Sequence, residues 1–125
     1  MRIPEGAEFD GAADNNHFSS VFVLHVESKT IHDDDTLMYF EPKHMSCGLR
    51  VLGAKSDQLS FHTSFLSGGI RKEEGAMKAF KEWLKRMLAE WDFENICTAH
   101  YGNLLGGAKK SLLATIEHHE KKGLM

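Results

Sequence analysis

The sequence predicts an α/β fold, and three features of its pattern carry that prediction. A β-branched and aromatic stretch, SSVFVLHV at residues 19–26, has the composition of a buried strand. Residues 73–91 place apolar side chains every three or four positions, as an amphipathic helix does. A second short apolar stretch and a second helical pattern follow at residues 95–100 and 108–122. This order favours a layered sheet with at least one crossover connection.

The first two strands are separated by a polar turn. The stretch at 19–26 is apolar at both alternating sets of positions, which predicts a strand covered on both faces. After the turn at 27–30 a second strand begins, is interrupted or ended by HDDD at 32–35, and resumes at 36–40 before Glu41-Pro42.

Residues 41–72 carry the weakest signals. Short strands are expected at 49–52 and 59–62, where apolar residues cluster, and a loop is expected at 67–69.

The two helices are the clearest elements of the second half. The apolar side of the first comprises Ala76, Met77, Phe80, Trp83, Leu84, Met87, Leu88 and Trp91, and the inward side of the second comprises Leu112, Leu113 and Ile116. These stripes predict that both helices pack on the sheet.

Composition fits one globular domain over residues 1–125. The chain is 42% hydrophobic and 26% charged, which is enough apolar material for a core. Its 15 basic and 18 acidic residues give a net charge of −3, so nothing favours nucleic acid or an anionic membrane as a partner. The apolar runs are far shorter than the roughly 20 residues of a membrane span. We expect neither nucleic-acid nor membrane binding.

The cysteines and the first residues indicate the compartment. Cys47 and Cys97 form no C-x-x-C pattern, which argues against a disulfide scaffold and a cysteine-rich zinc finger. The start, MRIPEG, has no apolar signal core. The sequence therefore predicts a cytoplasmic protein.

Three polar features lie at the ends of predicted strands. His17 precedes the first strand, the acidic run Asp33–Asp35 follows the second, and His100 ends the third. Ligand groups gather at strand ends in α/β layers, and imidazole and carboxylate suit zinc, manganese or iron. The alternative is a solvated acidic turn with two unrelated histidines. The residues alone favour this alternative over a metal site, because no short metal motif such as H-x-H is present.

Three segments around these residues resemble the C-terminal half of a metallo-β-lactamase-fold protein. They are HFSSVFVL at 17–24, SKTIHDDDTL at 28–37 and WDFENICTAHYG at 91–102, and the resemblance covers roughly residues 5–122. In that superfamily a histidine opens a strand, an aspartate ends the next strand before Thr-Leu, and a last histidine precedes a glycine.

The resemblance implies both a site and a fold. His17, Asp35 and His100 match the metal ligands in order, with Asp34 the second choice for the carboxylate. His32 is a further candidate ligand because it lies beside the acids, although an exposed turn histidine is the favoured interpretation. The implied fold is half of an αββα sandwich, a mixed sheet covered by two helices. The implied activity is a metal-dependent hydrolase that activates a metal-bound water against an ester, amide, thioester or phosphoester of a small-molecule substrate.

The family's leading H-x-H-x-D-H motif does not occur in the sequence. Three ligands can hold one metal ion but not two. The chain is therefore expected to be part of a longer protein or a partial, degenerate hydrolase. A non-catalytic α/β module for dimerisation or partner binding is the alternative. Because the first strand is apolar on both faces, we also expect a homodimer or association with a missing N-terminal half.

The remaining histidines have weaker assignments. His25, within an apolar strand, is expected to be a hydrogen-bonded core residue, and His62 is a weak alternative ligand or acid/base group. His118 and His119 are adjacent on the last helix and are expected to point apart at the surface.

Overall fold

The computed structural model describes residues 1–9, 20–51 and 55–125. In chain order the elements are β1 (Phe22–His25), β2 (Thr30–Asp33), β3 (Leu37–Tyr39), α1 (Cys47–Val51), β4 (Leu59–Phe61), α2 (Ala76–Glu90), β5 (Asn95–Thr98), β6 (Asn103–Leu104) and α3 (Ala108–Lys121). A 3-10 turn (Pro42–His44) precedes α1, and a π-helical turn (Phe65–Gly69) follows β4.

A four-stranded mixed sheet is the frame of the fold. Its strand order is β1-β2-β5-β6, and β3 and β4 form a separate antiparallel pair. The β1–β2 and β5–β6 pairs are antiparallel, whereas β2 and β5 run parallel and are joined by a long connection that includes α2. The sequence prediction of an α/β fold with a mixed sheet and helices is confirmed.

One face of this sheet is buried under the helices. Along β2 and β5, Ile31 pairs with Ile96, and both side chains are fully buried. The Phe22 ring of β1 lies 5.3 Å from the Trp83 ring of α2. Each large side chain buried this way contributes roughly 1.5–3 kcal/mol, so the packing of the helices holds this face of the sheet.

The other face of the sheet is open, which corrects the prediction for the first strand. Val23 is 37% exposed, and Val26, just past the strand, is 73% exposed. His25, predicted to lie in the core, is exposed, and its Nδ1 lies 2.8 Å from the Ser28 hydroxyl. The strand ends at His25, before a turn. Because side chains along its four residues point alternately to the two faces of the sheet, only one of its faces lies in the core.

The helices match their predicted positions with small differences. α2 begins at Ala76, after Gly75 in a left-handed conformation, and not at residue 73. In α3, Leu112 and Ile116 are buried as predicted, but Leu113 is 43% exposed. The buried stripe of α3 is Ala108, Leu112, Thr115 and Ile116, and Leu113, about 100° around the helix from Leu112, lies outside it.

The prediction was wrong for part of the region at 41–72. Over residues 49–51 the expected strand is replaced by α1, a helix over Cys47–Val51, because a short apolar run has no periodicity that separates strand from helix. Leu52, the last residue of that prediction, lies outside the described residues. The strand expected at 59–62 is present as β4. The loop expected at 67–69 belongs to the π-helical turn.

Across the part of the chain that the structure describes, no helix has both the length and the apolar character needed to cross a bilayer.

Candidate functional site

The parallel pairing of β2 with β5 brings two predicted site residues together. Asp33 and Thr98 are the last paired residues of these strands, so the segments that follow them leave the same edge of the sheet. There, the Asp35 Oδ1 atom lies 3.1 Å from the His100 Nε2 atom. Two side chains far apart in sequence thus meet beyond the ends of neighbouring parallel strands, where α/β sheets carry their ligand groups.

The Asp35–His100 pair lies at the surface. The side chain of Asp35 is 24% exposed and that of His100 is 49% exposed. A polar side-chain contact this accessible contributes at most about 1 kcal/mol to stability. The contact therefore adds little to the fold, and its donor atoms are open to a ligand.

The loop that carries His100 is held by Thr98. The Thr98 hydroxyl lies 2.6 Å from the carbonyl oxygen of His100 and 2.7 Å from that of Gly102, so its one hydrogen is shared between them. Tyr101, between the two carbonyls, has a φ of +75°. A non-glycine residue in this region costs on the order of 1–3 kcal/mol. The hydrogen bonds hold the loop in this conformation, and with it the position of His100.

The three consecutive aspartates have different environments. The Asp33 side chain is fully buried, its Oδ2 atom accepts the Leu37 N–H at 2.7 Å, and its Oδ1 atom has no hydrogen-bond partner among the described residues. Burial raises the pKa of Asp33 well above its usual value. Asp34 is half-buried, and Asp35 is the residue that contacts His100. The run thus combines one core carboxyl group with one surface ligand candidate.

Other predicted site residues lie elsewhere. His32 is exposed and precedes Asp33, so its side chain is on the open face of β2. His17 falls outside the described residues.

His62, a weak candidate from the sequence, lies beside the Asp35–His100 pair. Its ring centre is 5.8 Å from that of His100, and its Nδ1 atom accepts the Ser64 N–H at 3.3 Å. Among the described residues, His62 is thus a second histidine at this edge, and it was not one of the matched ligands.

The Asp35–His100 pair fits two positions of a metal site. Two donor atoms on one tetrahedral zinc ion, each about 2.0–2.1 Å from it, are about 3.3 Å apart, close to the 3.1 Å between Oδ1 and Nε2. A catalytic zinc ion takes three protein ligands. Within residues 1–9, 20–51 and 55–125, no group of three histidine, cysteine, aspartate or glutamate side chains is placed to hold a metal ion. The third donor in the prediction is His17.

A pocket of about 550 Å³ lies next to this edge and was not predicted. His62 and Tyr101 line it together with residues from the β3–β4 pair and the C-terminal half of α3. His119, expected at the surface, is half-buried there, with its Nδ1 atom 2.9 Å from the Thr115 carbonyl oxygen. The signal that could have found it is the helical spacing of the lining residues Thr115, His118 and His119 on α3, with Lys122 directly after the helix.

No protein-family model, curated protein or solved structure matches this chain.

Proposed function

We propose that the chain is a metal-dependent hydrolase of the metallo-β-lactamase type, or a partial one. His17, Asp35 and His100 would hold a single ion of zinc, manganese or iron. The contact between Asp35 and His100 at the shared edge of β2 and β5 is the observation that carries this proposal. It brings together the carboxylate and the last histidine that the sequence motifs matched.

The metal ion, when bound, would lower the pKa of a bound water and polarise an ester, amide, thioester or phosphoester group. The residues of the chain would hold this ion and orient the groups around it. Asp35 and His100 supply the donor atoms, and the shared hydrogen bond of Thr98 holds the His100 loop. His62 accepts the Ser64 N–H at Nδ1, so its neutral ring carries a hydrogen on Nε2 that can serve as a hydrogen-bond donor toward a substrate oxygen.

Metal content tests this proposal directly. Purified protein, loaded with Zn²⁺ and dialysed, is analysed for bound metal as wild type, His17→Ala, Asp35→Asn and His100→Ala. We expect about one equivalent in the wild type, as three protein ligands hold one ion, and a large loss in each variant. His25→Ala is the matched control, because His25 is an exposed histidine on β1.

Two results would contradict the proposal. One is a wild-type metal content far below one equivalent. The other is a content that His100→Ala and His25→Ala leave equally unchanged, in which case the Asp35–His100 contact is only a surface ion pair.

The second candidate is a non-catalytic α/β module that associates through its open sheet face. The observation that favours it is the exposure of Val23 and Val26 beside that face. A second copy of this chain is the proposed occupant, with a missing N-terminal half as the alternative outcome. This module requires no metal, so the metal analysis separates the two candidates.

We also propose a cytoplasmic location, on the basis of the two free cysteines, Cys47 and Cys97.

A further inference from the structure

The pocket beside the candidate metal edge combines positive charge with aromatic surface. Its volume of about 550 Å³ is within the range of small-molecule sites. Lys55, Lys122, His118 and His119 line it, and no described lining residue carries a carboxyl group. The whole chain has a net charge of −3, so this grouping of basic side chains runs against the overall composition.

The two lysines are not neutralised by neighbouring acids within the described chain. No ion pair there joins Lys55 or Lys122 to a carboxylate. Neither Asp57, which accepts the Tyr39 hydroxyl hydrogen at 2.5 Å, nor Glu41, which pairs with Lys43 at 2.6 Å, is among the residues that line the pocket. The positive charge of the pocket is therefore available to a ligand.

The same groups influence one another across the pocket. The charge of Lys122 is the main cause that lowers the pKa of His118, followed by burial, His119 and Lys55. Repulsion from these cations disfavours the protonated form of His118, and an anion bound between them would offset that repulsion.

A flat apolar surface adjoins the charged groups. The Tyr101 ring stacks on the buried Phe40 ring, with ring centres 4.4 Å apart and planes inclined by 30°. Tyr101 has a positive φ and is 49% exposed, so the side of its ring that does not contact Phe40 is open to solvent. Phe61 lies deeper, with the His119 ring edge-on at 5.1 Å.

We propose that this pocket binds a small organic anion with a flat apolar body. The anionic group, a phosphate or a carboxylate, lies against Lys55, Lys122 and His118, and the flat body lies against Phe40 and Tyr101. The inference does not depend on the proposed hydrolase, because none of these groups is a candidate metal ligand. If both proposals hold, the bound anion lies next to the catalytic edge through His62, which lines the pocket.

Calorimetric titration of the full chain with 1-naphthyl phosphate in EDTA tests the inference without any metal. We expect binding that is at least about tenfold tighter than that of neutral 1-naphthol, a difference of about 1.4 kcal/mol. Inorganic phosphate, which lacks the flat body, should bind more weakly than the naphthyl ester. A parallel titration with 1-naphthoate shows whether a carboxylate is accepted in place of a phosphate.

Variants identify the pocket as the binding site. Lys55→Gln and Lys122→Gln should each weaken the binding of 1-naphthyl phosphate roughly threefold to tenfold, as expected for loss of a charge-assisted contact. Lys110→Gln is the matched control, since Lys110 is an exposed lysine of α3 outside the pocket. Tyr101→Gly removes the ring, and glycine tolerates the positive φ of this position. This variant should bind 1-naphthyl phosphate more weakly but inorganic phosphate as tightly as the wild type does.

The inference is overturned if 1-naphthyl phosphate does not bind, or if 1-naphthol binds equally well. It is also overturned if the Lys55 and Lys122 variants behave like Lys110→Gln. Lys55 is exposed, and Lys122 is an exposed residue directly after α3, so both variants are expected to fold.

Discussion

Thr98 controls the position of His100 through one hydroxyl group at the end of β5. We expect Thr98→Val to cost about 1–2 kcal/mol, because two carbonyl oxygens lose their donor. We also expect altered chemical shifts of the His100 ring, since the loop is no longer held. Urea unfolding and histidine-ring NMR measure the two effects.

Thr98→Ser keeps the hydroxyl and is the control for this prediction. If Thr98→Val matched Thr98→Ser in both stability and ring shifts, the hydroxyl would have no positioning role.

Tyr39 gives a pH dependence that originates at a single hydrogen bond. The bond to Asp57 is the main cause that raises the pKa of Tyr39 to about 12, with burial second. The folded state therefore keeps this proton more tightly than the unfolded state, whose tyrosine pKa is about 10. The stabilisation is fully present below pH 10 and is lost as the pH rises through about 12.

Absorbance titration measures the pKa of Tyr39 in a Tyr101→Phe variant. The chain has two tyrosines, so Tyr39 is the only one that remains in this variant. Asp57→Asn should move the transition down towards pH 10. A transition that Asp57→Asn leaves unchanged would show that the hydrogen bond is not the cause.

Between elements, Gly6 sets the contact of the N-terminal segment with α2. Gly6 has a φ of +76°, and a Cβ atom on it would lie 2.1 Å from the backbone oxygen of Ala76. Gly6→Ala therefore meets both backbone strain and a clash with an atom that cannot rotate away. We expect a loss of roughly 2–4 kcal/mol in the free energy of unfolding.

Gly106→Ala separates the two causes. Gly106 has nearly the same φ, +79°, but no atom lies within 4 Å of its added Cβ. It should lose only about 1 kcal/mol, the conformational cost alone. Equal losses in the two variants, measured by chemical denaturation, would contradict the clash.

The limits of local sequence patterns are visible in the elements. The stripe of α2 is long enough for its spacing to specify a helix, and its side chains are buried as predicted, apart from the half-buried Met77. The short run that became α1 has no comparable period. Val23 shows the same limit in a strand, because its exposure depends on whether another layer covers that face.

For the whole molecule, the open sheet face leads to a prediction about association. If a second copy covers it, sedimentation velocity at micromolar concentration should show a dimer, and Val23→Lys should shift the protein to monomer. Leu113→Lys is the control, since Leu113 is an exposed residue of α3 rather than of the sheet. A well-folded wild-type monomer, or equal effects of both substitutions, would contradict association through this face.

Local periodicity and composition determined that this chain forms strands and amphipathic helices in an α/β order, because alternation and helical spacing are properties of neighbouring residues. Strand ends also indicated which histidines and aspartates to consider. Only the tertiary structure placed Asp35, which the motif match had put ahead of Asp34, against His100, because the parallel pairing of β2 with β5 sets which side chains leave the sheet together. The basic pocket likewise depends on β4 and α3 packing side by side, as in the 2.9 Å hydrogen bond from Thr115 to the Leu59 carbonyl, a contact between segments that share no local pattern.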